Sequence, residues 1–159
     1  MIYRILAALS CLGLPMTAQA ADIQPQSGTW AGQVVFDSQT GCPAQMVDQM
    51  KQARQGYSNQ QITFPEPFGP AVFKDIDPNF TWQKISPNVW EGIYSDVQET
   101  AIGTLTVVSK SILVILAPDK INQTADLTVD LPPNMAESMG MATTTCLVRS
   151  NVYHKRTGP

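Results

Sequence analysis

The middle of the chain reads Ser111-Ile112-Leu113-Val114-Ile115-Leu116-Ala117 and, a few residues later, Ala125-Asp126-Leu127-Thr128-Val129-Asp130-Leu131. The first segment is wholly apolar from residue 112 to residue 116, which predicts a strand that is covered on both faces. The second segment alternates apolar and polar residues, which predicts a strand with one buried face and one wet face. Both segments therefore indicate β structure.

Similar signals continue toward both ends of the chain. Further strands are predicted over residues 30–36, 80–85, 89–94, 100–108 and 141–153, and residues 100–108 are expected to pair with residues 111–117 around Ser109-Lys110. One short helix is predicted over residues 43–55, because proline suits a first helical position and Gly56 suits a stop. We therefore predict a mainly β fold: an antiparallel up-and-down barrel or sandwich of about eight strands, with one short helix after the first strand. The first and last strands are expected to be neighbours.

The first twenty residues have the layout of a secretory signal peptide. Arg4 provides a positive start, residues 5–14 form an apolar run, and Ala18-Gln19-Ala20 is a small-x-small cleavage site. The apolar run is shorter than the roughly 20 residues that span a bilayer. We expect residues 1–20 to be removed and the protein to be periplasmic or secreted. Cys11 would be removed with them, since the residues before it fit a lipoprotein signal poorly.

Cleavage leaves residues 21–159, which is the size of one ordinary domain. Of the ten Lys and Arg residues one is Arg4, so nine remain against 13 Asp and Glu residues, a formal charge of −4. A mildly acidic surface argues against nucleic acid and anionic membranes as partners. No later segment is long and apolar enough to suggest an integral membrane segment after signal removal.

Two cysteines, Cys42 and Cys146, remain after cleavage. An even number of cysteines in an oxidising compartment predicts one disulfide between them. It would join the start of the helix to the last strand. The alternative is two separate buried thiols.

Gly28-Thr29-Trp30 at the start of the first strand, together with Arg149 in the last strand, resembles the calycin superfamily of lipocalins and fatty-acid-binding proteins. In those barrels the tryptophan covers one end and packs under a late arginine. The short helix, the sequence Cys146-x-x-Arg149 and Tyr153 are similar to the fatty-acid-binding branch. The resemblance covers only the two ends of the chain, and the proline cluster at 65–70 departs from it. It implies a barrel with an apolar ligand, for which the candidate binding residues are Trp30, Trp82, Arg149 and Tyr153.

Catalytic and metal chemistry have little support in the sequence. His154 is the only histidine, and it is expected in a solvated C-terminal tail. A single histidine of that kind makes a histidine-based triad improbable and rules out a multi-histidine zinc site. No cofactor and no metal ligands are therefore predicted, and the protein is expected not to be an enzyme.

The expected function is a non-catalytic exported binding protein. In a barrel, the interior would hold an apolar small molecule near a mixed set of residues: Trp30, Phe80, Trp82, Ile112, Val114 and Leu116. The alternative is a protein–protein module, such as a secreted-protease inhibitor or an envelope accessory protein, whose partner is another exported protein. Residues 21–27 and 64–70 are the candidate contact segments for that alternative.

Overall fold

A computed structural model of the protein describes residues 21–53, 56–69 and 79–159. The predicted signal peptide, residues 1–20, lies outside the described residues. Within the described ranges, seven strands and two helices follow one another: β1 (Gly28–Thr40), α1 (Ala44–Ala53), β2 (Tyr57–Ile62), β3 (Thr81–Ser86), β4 (Val89–Thr100), β5 (Gly103–Ala117), β6 (Lys120–Asp130), α2 (Pro133–Ser138) and β7 (Thr145–Gly158).

All seven strands belong to one antiparallel sheet. Their order is β2-β1-β7-β6-β5-β4-β3, so every neighbour along the sheet is also a neighbour along the chain, apart from the pair β1 and β7. The first and last strands therefore pair, as predicted. The sheet is not closed, because β2 and β3 form its two edges.

The mainly β prediction is confirmed, but its details differ. The expected turn at Ser109-Lys110 is wrong, because β5 runs unbroken from Gly103 to Ala117 and pairs along its whole length with β4. Serine and lysine fit a strand when they alternate with valine and isoleucine on its two faces. The strands predicted over residues 100–108 and 111–117 are therefore one strand. A second helix, α2, is also present, and it begins at Pro133, a residue that suits a helix start.

Alternation along the strands gives the sheet two faces, and we call the one that carries Trp30 the core face. At one end of this face the buried residues form a single cluster, the lower core: Trp30, Ile62, Phe64, Phe68, Leu113, Ile115 and Ile121. Phe64 and Phe68 come from residues 63–69, the segment after β2. Their rings connect Trp30 on β1 to Trp90 on β4, with ring centroids 5.2, 5.5 and 6.1 Å apart in turn.

Residues 21–27 pack across the same end of the sheet and form what we call the N-terminal arm. The side chain of Gln24 donates to the carbonyl of Pro65 (2.9 Å) and accepts from the backbone N–H of Phe68 (2.9 Å). The Ile23 N–H donates to Asn88 in the β3–β4 turn (2.5 Å), and Asp22 pairs with Lys84. The arm thus links the segment after β2 to the hairpin at the opposite edge of the sheet.

The other end of the core face is covered by α1, which the disulfide anchors. Cys42 precedes the helix and is bonded to Cys146 on β7, with the Cα atoms 4.5 Å apart. Lys51 lies over the ring of Phe36, 5.2 Å from its centroid. After the helix, Gly56 has φ of +77°, and a Cβ there would lie 1.9 Å from the carbonyl oxygen of Gly32. Only glycine suits that return into β2. No helix within the described ranges is long and apolar enough to cross a membrane.

Candidate functional site

A row of four polar side chains crosses the core face diagonally, and we call it the polar row. Tyr57 Oη lies 2.9 Å from His154 Nδ1, and His154 Nε2 lies 3.4 Å from Gln123 Oε1. Gln123 Nε2 donates to Ser111 Oγ at 3.0 Å. The residues come from β2, β7, β6 and β5, so cross-strand register brings them together rather than closeness in the chain.

Burial sets the protonation of this row. It lowers the pKa of His154 to about 4 and raises the pKa of Tyr57 to about 12. Both groups are therefore neutral near pH 7. A neutral histidine has one donor and one acceptor nitrogen, which fits a chain in which Tyr57 donates to His154 and His154 donates to Gln123. Ser111 Oγ accepts from Gln123 Nε2, so Gln123 lies between Ser111 and His154 in the row.

Trp82 lies at the β3–β4 end of the polar row. Its ring packs on Gly92, where an added Cβ would come within 2.8 Å of ring atoms, so only glycine leaves room for the indole. Phe80 stacks on both Trp82 and Tyr94, with ring centroids 5.8 and 5.9 Å apart. The indole N–H of Trp82 is buried and has no hydrogen-bond partner. A buried donor of this kind is unusual in a folded protein.

Beyond the polar row, toward α1, most apolar side chains of the core face are only half-buried, although Cys146, Val148 and Ser150 on β7 are buried there. We call this region the upper patch, and its apolar residues share the orientation of the lower core: Val34, Phe36, Val107, Ala125, Leu127, Val129 and Val152. By contrast, Leu113 and Ile121 in the lower core are fully buried. The same face therefore has a filled end and an end where most apolar side chains stay half-buried, with the polar row between them.

Two of the four predicted binding residues lie on the core face. Trp30 is fully buried in the lower core, and its indole N–H donates to the carbonyl of Gln26 at 3.1 Å. It is therefore a core residue. Trp82 is half-buried and packs against the same core. It lies beside the polar row, and its own indole N–H is the unsatisfied donor.

The other two predicted binding residues, Arg149 and Tyr153, lie on the outer face of the sheet and are exposed. Arg149 forms a bidentate ion pair with Asp126, in which Nε donates to Oδ1 at 2.6 Å and Nη2 donates to Oδ2 at 2.8 Å. This pairing lowers the pKa of the Asp126 carboxyl. The β7 residue opposite Trp30 is Arg156 rather than Arg149, and its side chain donates to the carbonyl of Ser27 (3.0 Å). The four predicted residues are thus not brought into one site.

The predicted interior residues on β5 are also displaced by one position. Ile112, Val114 and Leu116 point to the outer face, and Leu116 is 44% exposed. Leu113 and Ile115 are buried instead. A wholly apolar run does not show which residues point inward, because its two faces look alike.

His154 was expected in a solvated tail, and that expectation is wrong. It is 6% exposed and lies within β7, which continues to Gly158. The signal that could have placed it is the period of two that runs through Cys146, Val148 and Ser150, since His154 falls on the same face. Tyr57, Gln123 and Ser111 carried no comparable signal, because each lies among other polar residues of its strand.

No group of three or more His, Cys, Asp or Glu side chains that could hold a metal ion occurs in the part of the chain that the structure describes. No family model, curated protein or solved structure matches this chain.

Proposed function

We propose that residues 21–159 form an exported, non-catalytic domain that binds one apolar small molecule on the upper patch. Residues 1–20 would be a signal peptide that is removed on export to the periplasm or the extracellular space. The disulfide between Cys42 and Cys146 supports this location, because such bonds persist in oxidising compartments.

The half-buried state of the upper patch carries the proposal. Apolar side chains on the core-facing side of a sheet are normally covered by other residues, as they are in the lower core. Val34, Val107 and Val129 instead keep part of their surface accessible, below a helix that contacts Phe36 at one side. Covering such a surface with an apolar molecule is favourable by roughly 25 cal/mol per Å².

The sheet order supports a container of the calycin type. Its up-and-down connectivity is that of a barrel opened between β2 and β3. Trp30 lies at one end with a late arginine opposite it, and that arginine is Arg156. We therefore propose a barrel-like rather than a sandwich architecture, with α1 covering the end where the disulfide lies.

In the alternative function, a protein–protein module, the candidate contact segments are exposed in part: Asp22, Gln26, Pro65, Glu66 and Pro67 are exposed. Phe64 and Phe68 are buried, and Pro25 in the N-terminal arm is buried as well. The arm and residues 63–69 bond to each other through Gln24 and Ser27. The buried residues of these segments serve the packing of the domain, so a partner would contact the exposed positions.

A neutral fluorescent probe tests the proposal. N-phenyl-1-naphthylamine gains fluorescence when it leaves water for an apolar site, and we expect one equivalent to bind the purified domain. The substitution Val107→Gln on the upper patch is expected to weaken binding about tenfold, since it places a longer polar side chain in the site.

Val108→Gln is the matched control. Val108 is the next residue of β5, is also half-buried and points to the outer face. It should leave probe binding unchanged. Equal weakening by both substitutions, or no binding by the unsubstituted domain, would overturn the proposal.

A further inference from the structure

The methionines that follow residue 20 all lie at the end of the fold that carries the two helices. They belong to α1, to α2 or to the residues directly after α2: Met46, Met50, Met135, Met139 and Met141. Methionine is among the residues most often found fully buried. None of these five is buried, however, and Met139 is 40% exposed. They are therefore not filler of the buried core.

A cleft of about 590 Å³ lies between the start of α1 and the end of α2. Met46 of α1 and Met139, the residue after α2, both line it. Its other lining residues are uncharged: Pro43, Ala44, Gln45, Gln49 and Ser138. Met46 Sδ also lies 3.9 Å from Cys146 Sγ, so this thioether packs beside the disulfide that anchors α1. Two distant parts of the chain thus bring thioethers to one cleft.

The lining of the cleft favours a soft cation over other ions. Hard cations such as Ca²⁺ and Mg²⁺ are bound largely through carboxylates, and no Asp, Glu, Lys or Arg among the described residues lines the cleft. An anion would therefore find no cationic side chain there, which makes its desolvation costly. Thioether sulfur is a soft ligand and selects Cu⁺ among the first-row metal ions.

The state of the cysteines is consistent with thioether ligands. Cys42 and Cys146 are bonded to each other, so neither supplies a thiolate, the form of cysteine that binds metals. Methionine has three rotatable bonds, so Met46 and Met139 can turn toward one ion from the two sides of the cleft. The formal charge of −4 over residues 21–159 also attracts cations.

We propose that the cleft between α1 and α2 binds one Cu⁺ ion through the thioether sulfurs of Met46 and Met139. None of the residues that line this cleft belongs to the upper patch. The cation site is therefore a second binding site, and it does not rest on the proposed apolar ligand.

Methyl signals of ¹³C-labelled methionine test the site with Ag⁺, an air-stable soft cation of the same charge as Cu⁺. We expect the signals of Met46 and Met139 to move together and to stop moving at one equivalent of Ag⁺. The signal of Met50 should stay in place. Two signals that titrate independently would mean two separate surface thioethers and would overturn the shared site.

Substitution by leucine removes the sulfur and nearly keeps the side-chain volume. Competition with the chelator bicinchoninate, in the absence of oxygen, measures Cu⁺ affinity. Met46→Leu and Met139→Leu should each weaken Cu⁺ binding about tenfold or more. Met50→Leu is the matched control, because Met50 lies one turn further along α1, is half-buried and does not line the cleft. It should leave the Cu⁺ affinity unchanged.

Three results would overturn the cation site. One is equal weakening by Met46→Leu and Met50→Leu, and another is no binding of either Ag⁺ or Cu⁺. The third is movement of the Met46 and Met139 signals with N-phenyl-1-naphthylamine but not with Ag⁺, which would make the cleft an apolar binding site instead.

Discussion

The lower core and the upper patch are two halves of one sheet face that differ in how they are filled. Both halves use the same strands, and in both the side chains alternate between the core face and the outer face. In the lower core Leu113 and Ile121 are fully buried, whereas Val107 and Val129 in the upper patch stay half-buried. The strands alone therefore do not decide which half is closed.

The difference comes from what packs against the sheet. The lower core receives two aromatic rings, Phe64 and Phe68, and the N-terminal arm, which is fixed by hydrogen bonds from Gln24. The upper patch is covered by the ten-residue helix α1, attached through the disulfide and the contact between Lys51 and Phe36. The proposed binding site would lie at the lightly covered end, with the filled end as its base.

The largest expected effect is on the lower core. Phe64→Ala removes a ring that is 5% exposed and contacts both Trp30 and Phe68, so we expect a loss of about 3–5 kcal/mol in the free energy of unfolding. Phe36→Ala in the upper patch should cost only about 1–2 kcal/mol, because that ring is half-buried. Urea unfolding measures both. Equal losses would contradict the distinction between the two halves.

The disulfide comes next. Replacing both Cys42 and Cys146 by serine removes a bond between residues that are 104 positions apart in the sequence. We expect the free energy of unfolding to fall by about 3 kcal/mol. Since the bond anchors α1, amide exchange should accelerate more in α1 than in β5. Acceleration that is uniform over the chain would show that the helix is held by other contacts.

A smaller effect is expected from acid. The unfolded chain binds a proton at His154 near its ordinary pKa of 6.5, whereas burial lowers the pKa of the folded group to about 4. The stability that comes from keeping His154 neutral is therefore fully present above pH 6.5 and is lost as the pH falls toward 4. The loss is about 2 kcal/mol between pH 7 and pH 5.

The matched variant for this prediction is His154→Gln, which keeps a polar side chain in the row and does not titrate. Its stability should be nearly flat between pH 7 and pH 5. A slope equal to that of the unsubstituted protein would exclude His154 as the cause.

The smallest effect is expected on the outer face. Arg149 and Asp126 are both exposed, and surface ion pairs stabilise proteins very little. Arg149→Gln should leave the urea midpoint and probe binding almost unchanged. A large loss of binding would mean that the outer face, and not the upper patch, contacts the ligand.

Much of the fold could be predicted from the sequence, because alternation and turn residues are local signals. The pairing of the first strand with the last and the disulfide between Cys42 and Cys146 are confirmed. The break at Ser109-Lys110 was wrong because polar residues in a long strand resemble a turn when only local composition is considered.

The candidate site was predicted less well. Trp82 was identified as a binding residue and lies beside the polar row, but Arg149 was placed with it on the strength of a pattern at the chain ends. The polar row depends on register among β2, β5, β6 and β7, and register is set by the whole sheet rather than by any one strand. The unsatisfied N–H of Trp82 is a property of three-dimensional packing that no sequence pattern reports.

Methyl chemical shifts test the binding site most directly. With valine and leucine methyls labelled, addition of N-phenyl-1-naphthylamine should move the signals of Val34, Val107 and Val129 on the upper patch. Signals of Leu113 in the lower core and of Val108 on the outer face should stay in place. Shifts confined to Val108 and its outer-face neighbours, or no shifts at all, would contradict a binding site on the core face.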